Sequence, residues 1–242
     1  MSEKNAPSRD SDSDRGRLAL ALALGALAAL IVARRLSAPR RMPHAALWRR
    51  VLAEKRGEAE ADRLLARAQA RYDELYAERP RLANRALRFH IERSILPGLA
   101  LYQALLEEGD DRQAALAEME SLVTPSLAGL RWLMPLLGRL PDPFAVFRRI
   151  VPPVVRFGFP PEGWAIEPVQ DSEDCIAFDI RRCIYLDTLT SYGAPELTPV
   201  YCAGDDKLFE ALPPSITWER TMTLGRGDDH CDFCWCRAAP ER

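Results

Sequence analysis

Cys175-Ile176-Ala177-Phe178-Asp179-Ile180-Arg181-Arg182-Cys183 is the stretch that decides the fold, because its hydrophobic period is two. Ile176, Phe178 and Ile180 alternate with Cys175, Ala177 and Asp179, the pattern of a half-buried strand. The pattern returns twice. Ile216, Trp218, Met222 and Leu224 alternate with Thr217, Glu219, Thr221 and Thr223, which predicts a second strand. Cys231, Phe233 and Trp235 alternate with Asp232, Cys234 and Cys236, which predicts a third. Gly225, Gly227, Asp228 and Asp229 supply the turn between the last two. Helical stretches at about residues 185–192 and 195–212 sit between the first two strands.

Upstream the period changes to that of a helix. Ala61, Leu64, Leu65, Ala68, Tyr72, Leu75 and Tyr76 recur at three- and four-residue steps and mark one buried face. Pro80 starts a new segment, and a further helix runs from about Pro97 to Glu108. Gly109 stops it, and Asp110 or Asp111 caps the next. Between Leu122 and Phe159, Pro125, Pro135, Pro141, Pro143, Pro152 and Pro153 argue for several short helices that connect the two halves. Helices first and strands afterwards make the class α+β, with a small, mainly antiparallel sheet.

Residues 1–14 are polar and charged and read as a disordered tail. Leu18 to Ala33 is an uncharged apolar run of 16 residues. As a helix it would span roughly 24 Å, and flanking arginines can extend that reach. The run ends in Arg34-Arg35 rather than in small residues, which favours an anchor over a cleaved leader. Lys4, Arg9, Arg15 and Arg17 precede the run, whereas Arg34, Arg35, Arg40, Arg41, Arg49 and Arg50 follow it. That asymmetry predicts a single-pass membrane protein with its C-terminal body in the cytoplasm. The expected division is therefore tail 1–14, transmembrane anchor 15–35, helical region 36–160 and cysteine-bearing α+β region 161–242, the last two forming one body. In that compartment the thiols stay reduced, so the cysteines are not expected to form a disulfide frame.

With 48% hydrophobic residues in 242, the chain can build a substantial core. Its 33 basic residues are balanced by 35 acidic ones, which lacks the net basic stripe of a nucleic-acid binder. The expected partners are a small-molecule substrate and a membrane, not nucleic acid.

All six cysteines lie after residue 170. Cys231-x-x-Cys234 with His230 and Cys236 offers zinc-ligand types. No second pair stands at finger spacing, however, and in a strand Cys231 and Cys234 face opposite sides, so neither a metal nor another cofactor is expected. No Gly-x-Ser-x-Gly elbow or phosphate-cradling glycine loop is present. The chemistry left is that of thiols and carboxylates. Arg181 and Arg182 stand beside Cys183, where they could lower its pKa, and Cys202 is followed by Asp205 and Asp206. Arg182 and Arg220 fall in phase with apolar faces, where a guanidinium needs a partner. For Arg220 the candidates are Asp205, Asp232 and Glu196.

These residues fall into an ordered set: Arg182-Cys183, Pro195-Glu196-Leu197, Cys202-Ala203-Gly204-Asp205, Arg220-Thr221-Met222-Thr223-Leu224 and Gly227-Asp228-Asp229-His230-Cys231-Asp232-Phe233. With Leu99 to Gly109 and Ala114-Ala115 upstream, they resemble the L-2-amino-thiazoline-4-carboxylic acid hydrolase family over about residues 75–237. The resemblance implies hydrolytic opening of a cyclic amidine-thioether. By motif, Cys183, Cys202, Asp205 and Asp232 become the candidate catalytic residues, and Arg182, Arg220 and Cys231 the substrate-binding ones. The close of the chain also looks like that of 4-vinyl-reductase-like domains, which implies as the alternative a small-molecule-binding or sensory module without turnover. An anchored scaffold is a third reading, which the retained thiol, carboxylate and arginine set disfavours.

Overall fold

In the computed structural model residues 41–239 are described. The helical half begins with α1 (Ala45–Arg56) and α2 (Glu58–Glu78), joined at Gly57. Of the apolar stripe expected on α2, Ala61, Leu64, Ala68, Tyr72 and Leu75 are buried. The short α3 (Arg85–His90) starts where the Asn84 side chain accepts from the amides of Ala86 and Leu87. It runs through a π-helical turn, Ile91–Ile95, into α4 (Leu96–Glu107). Nearly every residue of α4 from Leu96 to Leu105 is buried, the pattern of a helix surrounded on all sides. Gly109, at φ +105°, then turns the chain, and the Asp111 carboxylate accepts from Ala114 N to open α5 (Arg112–Ser126).

The proline-rich stretch departs from expectation. α6 (Ala128–Leu133) and a 3₁₀ segment, Met134–Arg139, are short, but α7 (Pro143–Gly158) carries Pro152 and Pro153 inside 16 residues. Both prolines lie on its exposed side, where water can satisfy the carbonyls they leave unpaired.

β1 (Trp164–Asp171), β2 (Cys175–Cys183), β3 (Ile216–Glu219) and β4 (Cys231–Arg237) form one antiparallel sheet in the order β1-β2-β4-β3. α8 (Ile184–Ser191) and α9 (Thr198–Phe209) connect β2 to β3. Ile176, Phe178 and Ile180 face the core with Cys231, Phe233 and Trp235. There the Phe178 and Phe233 rings stack at 5.3 Å.

Two strand expectations need correction. β1 was not foreseen: it is an edge strand with a ladder irregularity beside Pro168, so its alternation is blurred. The strand foreseen through Leu224 ends at Glu219 instead. The Asp232 carboxylate takes the amides of Thr221 (2.9 Å) and Met222 (2.6 Å), so a side chain replaces the ladder there.

The expectation of reduced thiols is overturned by a disulfide, Cys175–Cys236, which joins β2 to β4. The expectation of a single-pass membrane protein is also corrected: among the described residues no helix is long and apolar enough to cross a membrane. Residues 1–14, expected as a tail, the run from Leu18 to Ala33 and its flanking arginines through Arg40 lie outside the described residues.

Candidate functional site

α9 is the site's backbone. Its helical period places Thr198, Cys202 and the pair Asp205-Asp206 along one side. Arg220, the first residue past β3, reaches that side from the sheet, and its side chain is only 1% exposed. Its Nη1 lies 3.3 Å from Asp205 Oδ2, and its Nη2 lies 2.8 Å from Asp206 Oδ2. Nη2 also donates to the Cys202 carbonyl at 2.7 Å. The guanidinium sits 5.1 Å from the Phe233 ring centroid, and Trp218 donates its indole N–H to Asp206 Oδ1 at 3.3 Å. Burial works against the guanidinium's charge, but the two carboxylates outweigh it and its pKa rises. Of the partners foreseen for Arg220, Asp205 is found, and Asp206 joins it.

Asp205 is pushed up to about 6 by desolvation, against the pull of Arg220. Yet 47% of its side-chain surface remains open. Surrounding protein atoms crowd the carboxyl while part of its surface still reaches solvent.

Three thiols share the neighbourhood. Cys183 ends β2, Cys202 is on α9, and Cys231 begins β4 with its sulfur accepting from Leu224 N at 3.2 Å. The charge of Asp205 acts on all three, and that of Arg220 on Cys202 and Cys231. Desolvation is the main cause that pushes Cys183 up to about 11 and Cys202 up to about 12, and it also raises Cys231. The expected activation of Cys183 by its neighbours is therefore reversed. The arginines turn away, Arg181 to Glu167 and Asp179, and Arg182 to Asp187.

A second layer stands behind the thiols. Burial and the charges of Asp205 and Cys183 raise the pKa of Tyr185, on α8, with only partial opposition from Ser94. Its hydroxyl is 2.9 Å from His90 Nδ1, while His90 Nε2 is 3.0 Å from the Gly158 carbonyl. A carbonyl can only accept, so Nε2 holds the proton and the Tyr185 hydroxyl donates to Nδ1. Burial lowers the pKa of His90, consistent with that neutral tautomer. Tyr201 packs on Tyr185, ring centroids 4.9 Å apart, and donates to the Ser94 carbonyl at 3.0 Å. Gly98 makes room, because a Cβ there would collide with the Tyr201 hydroxyl. The π-helical turn carries Ser94 and follows His90 directly, a distortion common near functional sites.

Cys183, Cys202, Cys231, Asp205 and Arg220 thus come together, and two of the foreseen residues do not join them. Arg182 is exposed, bonded to Asp187 Oδ2 at 2.7 Å and to the Glu162 carbonyl at 3.2 Å. Asp232 holds the 221–222 backbone. Desolvation would raise its pKa, but the bonds from Thr221 and Met222 outweigh that and lower it. Glu196 instead accepts from Tyr102 at 2.9 Å. Arg220 Nη1 and Nη2 are held by Asp205, Asp206 and the Cys202 carbonyl, so the guanidinium positions the two carboxylates.

The sequence reading named Asp206 beside Cys202 but not as a partner of Arg220, and it missed Tyr185, His90 and Ser94. Asp206 had a signal, since it shares a helical face with Cys202; the others meet only through the tertiary fold. Thr198 Oγ1 and Thr223 Oγ1 are buried with no hydrogen-bond partner among the described residues. A Cβ on Gly225 would touch both Cys202 Sγ (3.0 Å) and Thr198 Cγ2 (3.1 Å), so Thr198 borders the thiol. Among the described residues no group of three or more His, Cys, Asp or Glu is arranged to hold a metal. Two shallow depressions on the helical half, one lined by Arg71, Glu74, Gln103, Leu106 and Glu107 and the other by residues from Arg41 to Gln69, do not touch the cluster.

A family model described as L-2-amino-thiazoline-4-carboxylic acid hydrolase matches residues 88–235, which include every member of the cluster. No curated protein matches the chain. Among solved structures, the Fe(II) unliganded H-NOX protein from K. algicida is 13% identical, with 82% of this chain and 96% of that chain covered, at a TM-score of 0.38. A mutant of the same H-NOX protein is 11% identical, with 80% and 94% covered, at 0.33. Superpositions at that level establish neither fold nor function.

Proposed function

The chain belongs to the L-2-amino-thiazoline-4-carboxylic acid hydrolase family, and from that premise we propose that it hydrolyses a small cyclic amidine-thioether or a related carbon–nitrogen compound at the Asp205 cluster. The observation that carries the reading is Asp205 itself, a carboxyl of pKa about 6 fixed by a buried arginine beside three thiols. A group with that pKa is mostly ionised at neutral pH and close to the optimum for exchanging protons.

The pKa values favour water over a thiolate as nucleophile. Ionising Cys183 or Cys202 at pH 7 would cost about 5 to 7 kcal/mol, at 1.36 kcal/mol per pKa unit. In the proposed step Asp205 removes one proton from a water molecule as its oxygen bonds to the amidine carbon. The C=N π pair moves onto the ring nitrogen, and that nitrogen takes the water's second proton as the carbonyl forms. The carbon–sulfur bond then breaks, and the electron pair leaves on sulfur. Asp205 returns the proton to that sulfur, giving a carbamoyl-amino thiol and regenerating the carboxylate. Arg220 and Asp206 hold Asp205 in place. The unpaired hydroxyls of Thr198 and Thr223 are the groups we assign to hydrogen-bond the substrate.

The test is thiol release from 2-amino-thiazoline-4-carboxylate, with the product identified by mass. Wild-type turnover with at least a hundredfold loss in Asp205→Asn supports the reading. Equal turnover in wild type and Asp205→Asn sinks it. Saturable binding of that compound without thiol release would favour the binding-module alternative.

A further inference from the structure

The outward face of the sheet carries a second group of sulfurs that the cluster does not use. β2 and β4 pair with Cys175 opposite Cys236 and Ala177 opposite Cys234. Because side chains alternate along a strand, Cys234 and Cys236 lie on one face, opposite to that of Cys231, Phe233 and Trp235. Cys175 and Cys236 are bonded to each other, and Cys234 Sγ lies 3.7 Å from Cys236 Sγ, in van der Waals contact. None of the three is sealed in the core, for each retains partial exposure. A free thiol touching a surface disulfide is the arrangement that thiol–disulfide exchange requires.

We propose that Cys175, Cys234 and Cys236 form a thiol–disulfide exchange site in which the bond moves between the pairs 175–236 and 234–236. Cys234 loses its proton to solvent, and its sulfur attacks Cys236 Sγ. A Cys234–Cys236 bond forms as the Cys175–Cys236 bond breaks, and the electron pair leaves with Cys175, which takes up a proton. One thiol and one disulfide exist before and after, so no oxidant or reductant is consumed. The consequence is structural. The first bond ties β2 to β4, whereas the second lies within β4 and leaves the strands joined by backbone hydrogen bonds alone. Cys175 then becomes the thiol open to small-molecule disulfides.

Burial and the charges of Glu219 and Asp232 raise the pKa of Cys234, so the attacking thiolate grows more abundant with pH and exchange quickens above neutrality. The site is independent of the proposed hydrolysis, since it lies on the other face of the sheet.

Trypsin gives the two bonds different signatures. Cys175 falls in the fragment 157–181, and Cys231, Cys234 and Cys236 fall together in 227–237, so Cys231 is blocked in either species and fragment-ion sequencing assigns the internal bond. The full chain, purified without reductant, is held at pH 7 or 9, acid-quenched, blocked with N-ethylmaleimide, digested and analysed by mass spectrometry. The expected result is two species. One is the cross-link between the fragments, and the other is an internally bonded 227–237 with blocked Cys175. The second should form faster at pH 9 and vanish in Cys234→Ser. A wild-type chain that shows only the cross-link at both pH values, with Cys234 always blocked, overturns the proposal. So does a chain in which all three cysteines are blocked.

Discussion

Asp205 is the residue at which function and stability pull apart. Its raised pKa means that the fold prefers the protonated acid. Between the ordinary aspartate pKa near 4 and about 6, the native state binds more protons than the unfolded chain. The contribution of this group to stability is therefore fully present below pH 4 and lost as pH rises through 6. An uncorrected shift would correspond to about 3 kcal/mol. With 47% of the side chain open to water, roughly 1 kcal/mol is the reasonable figure. Asp205→Asn should consequently melt no lower than wild type at pH 7.5 and be up to about 1 kcal/mol more stable, while losing turnover by about 10² to 10⁴. Calorimetry and thiol release on the same preparation check both halves. The pH profile gives an independent reading: kcat/KM should climb as pH rises through about 6, because the base must be ionised. Asp232→Asn is the control, since its carboxylate bonds the 221–222 backbone and should cost stability rather than proton transfer.

At the level of elements, the site depends on how α9 meets the π-helical turn and α4. Gly98 lets the Tyr201 hydroxyl lie against α4 and reach the Ser94 carbonyl. Gly98→Ala should displace that ring and cost about 1 to 3 kcal/mol by overpacking. It should also shift Cys202, Tyr201's neighbour on α9, so melting temperature and kcat should fall together. Gly109→Ala gives the contrast, because that position has open space and is strained only by its positive φ; its kcat should be unchanged. The same packing explains what was legible beforehand. β2 and β4 could be read from alternation alone, since each has one buried and one open face. The α2 stripe and the cap at Asp111 rest on equally local chemistry. β1 hid behind Pro168, and the break after Glu219 depends on Asp232 from another strand. Of the residues that cluster around Asp205, Cys183, Cys202, Arg220 and Cys231 all lie, like Asp205 itself, in the ordered motifs. His90 and Tyr185 are 95 positions apart and carried no shared signal. Arg182 and Asp232 were drawn in by the motifs' adjacency, although their side chains serve local partners.

On the scale of the whole molecule, the sheet holds two kinds of sulfur on two faces, and its stability should depend on only one of them. The Cys175–Cys236 bond closes a sequence separation of 61 residues. A cross-link of that span removes about 4 kcal/mol of loop entropy from the unfolded chain, as an upper figure. The ion pairs at the same edge, Arg237 with Asp142 and Asp174, are exposed and can replace little of it. Cys236→Ser removes the bond and also denies Cys234 its exchange partner. It should therefore lower unfolding free energy by about 2 to 4 kcal/mol in a denaturant titration. Cys175→Ser should match it, because the bond left open to that variant, 234–236, lies within one strand. Cys234→Ser should leave stability near wild type. None of the three should change turnover per folded molecule, since Asp205, Cys202 and Cys231 lie on the opposite side of the sheet. If Cys236→Ser lost activity in proportion to nothing but its folded fraction, the two faces would be independent. A kcat loss in fully folded protein would mean instead that the strand pairing at Cys175 and Cys236 holds Cys231 and Arg220 in place.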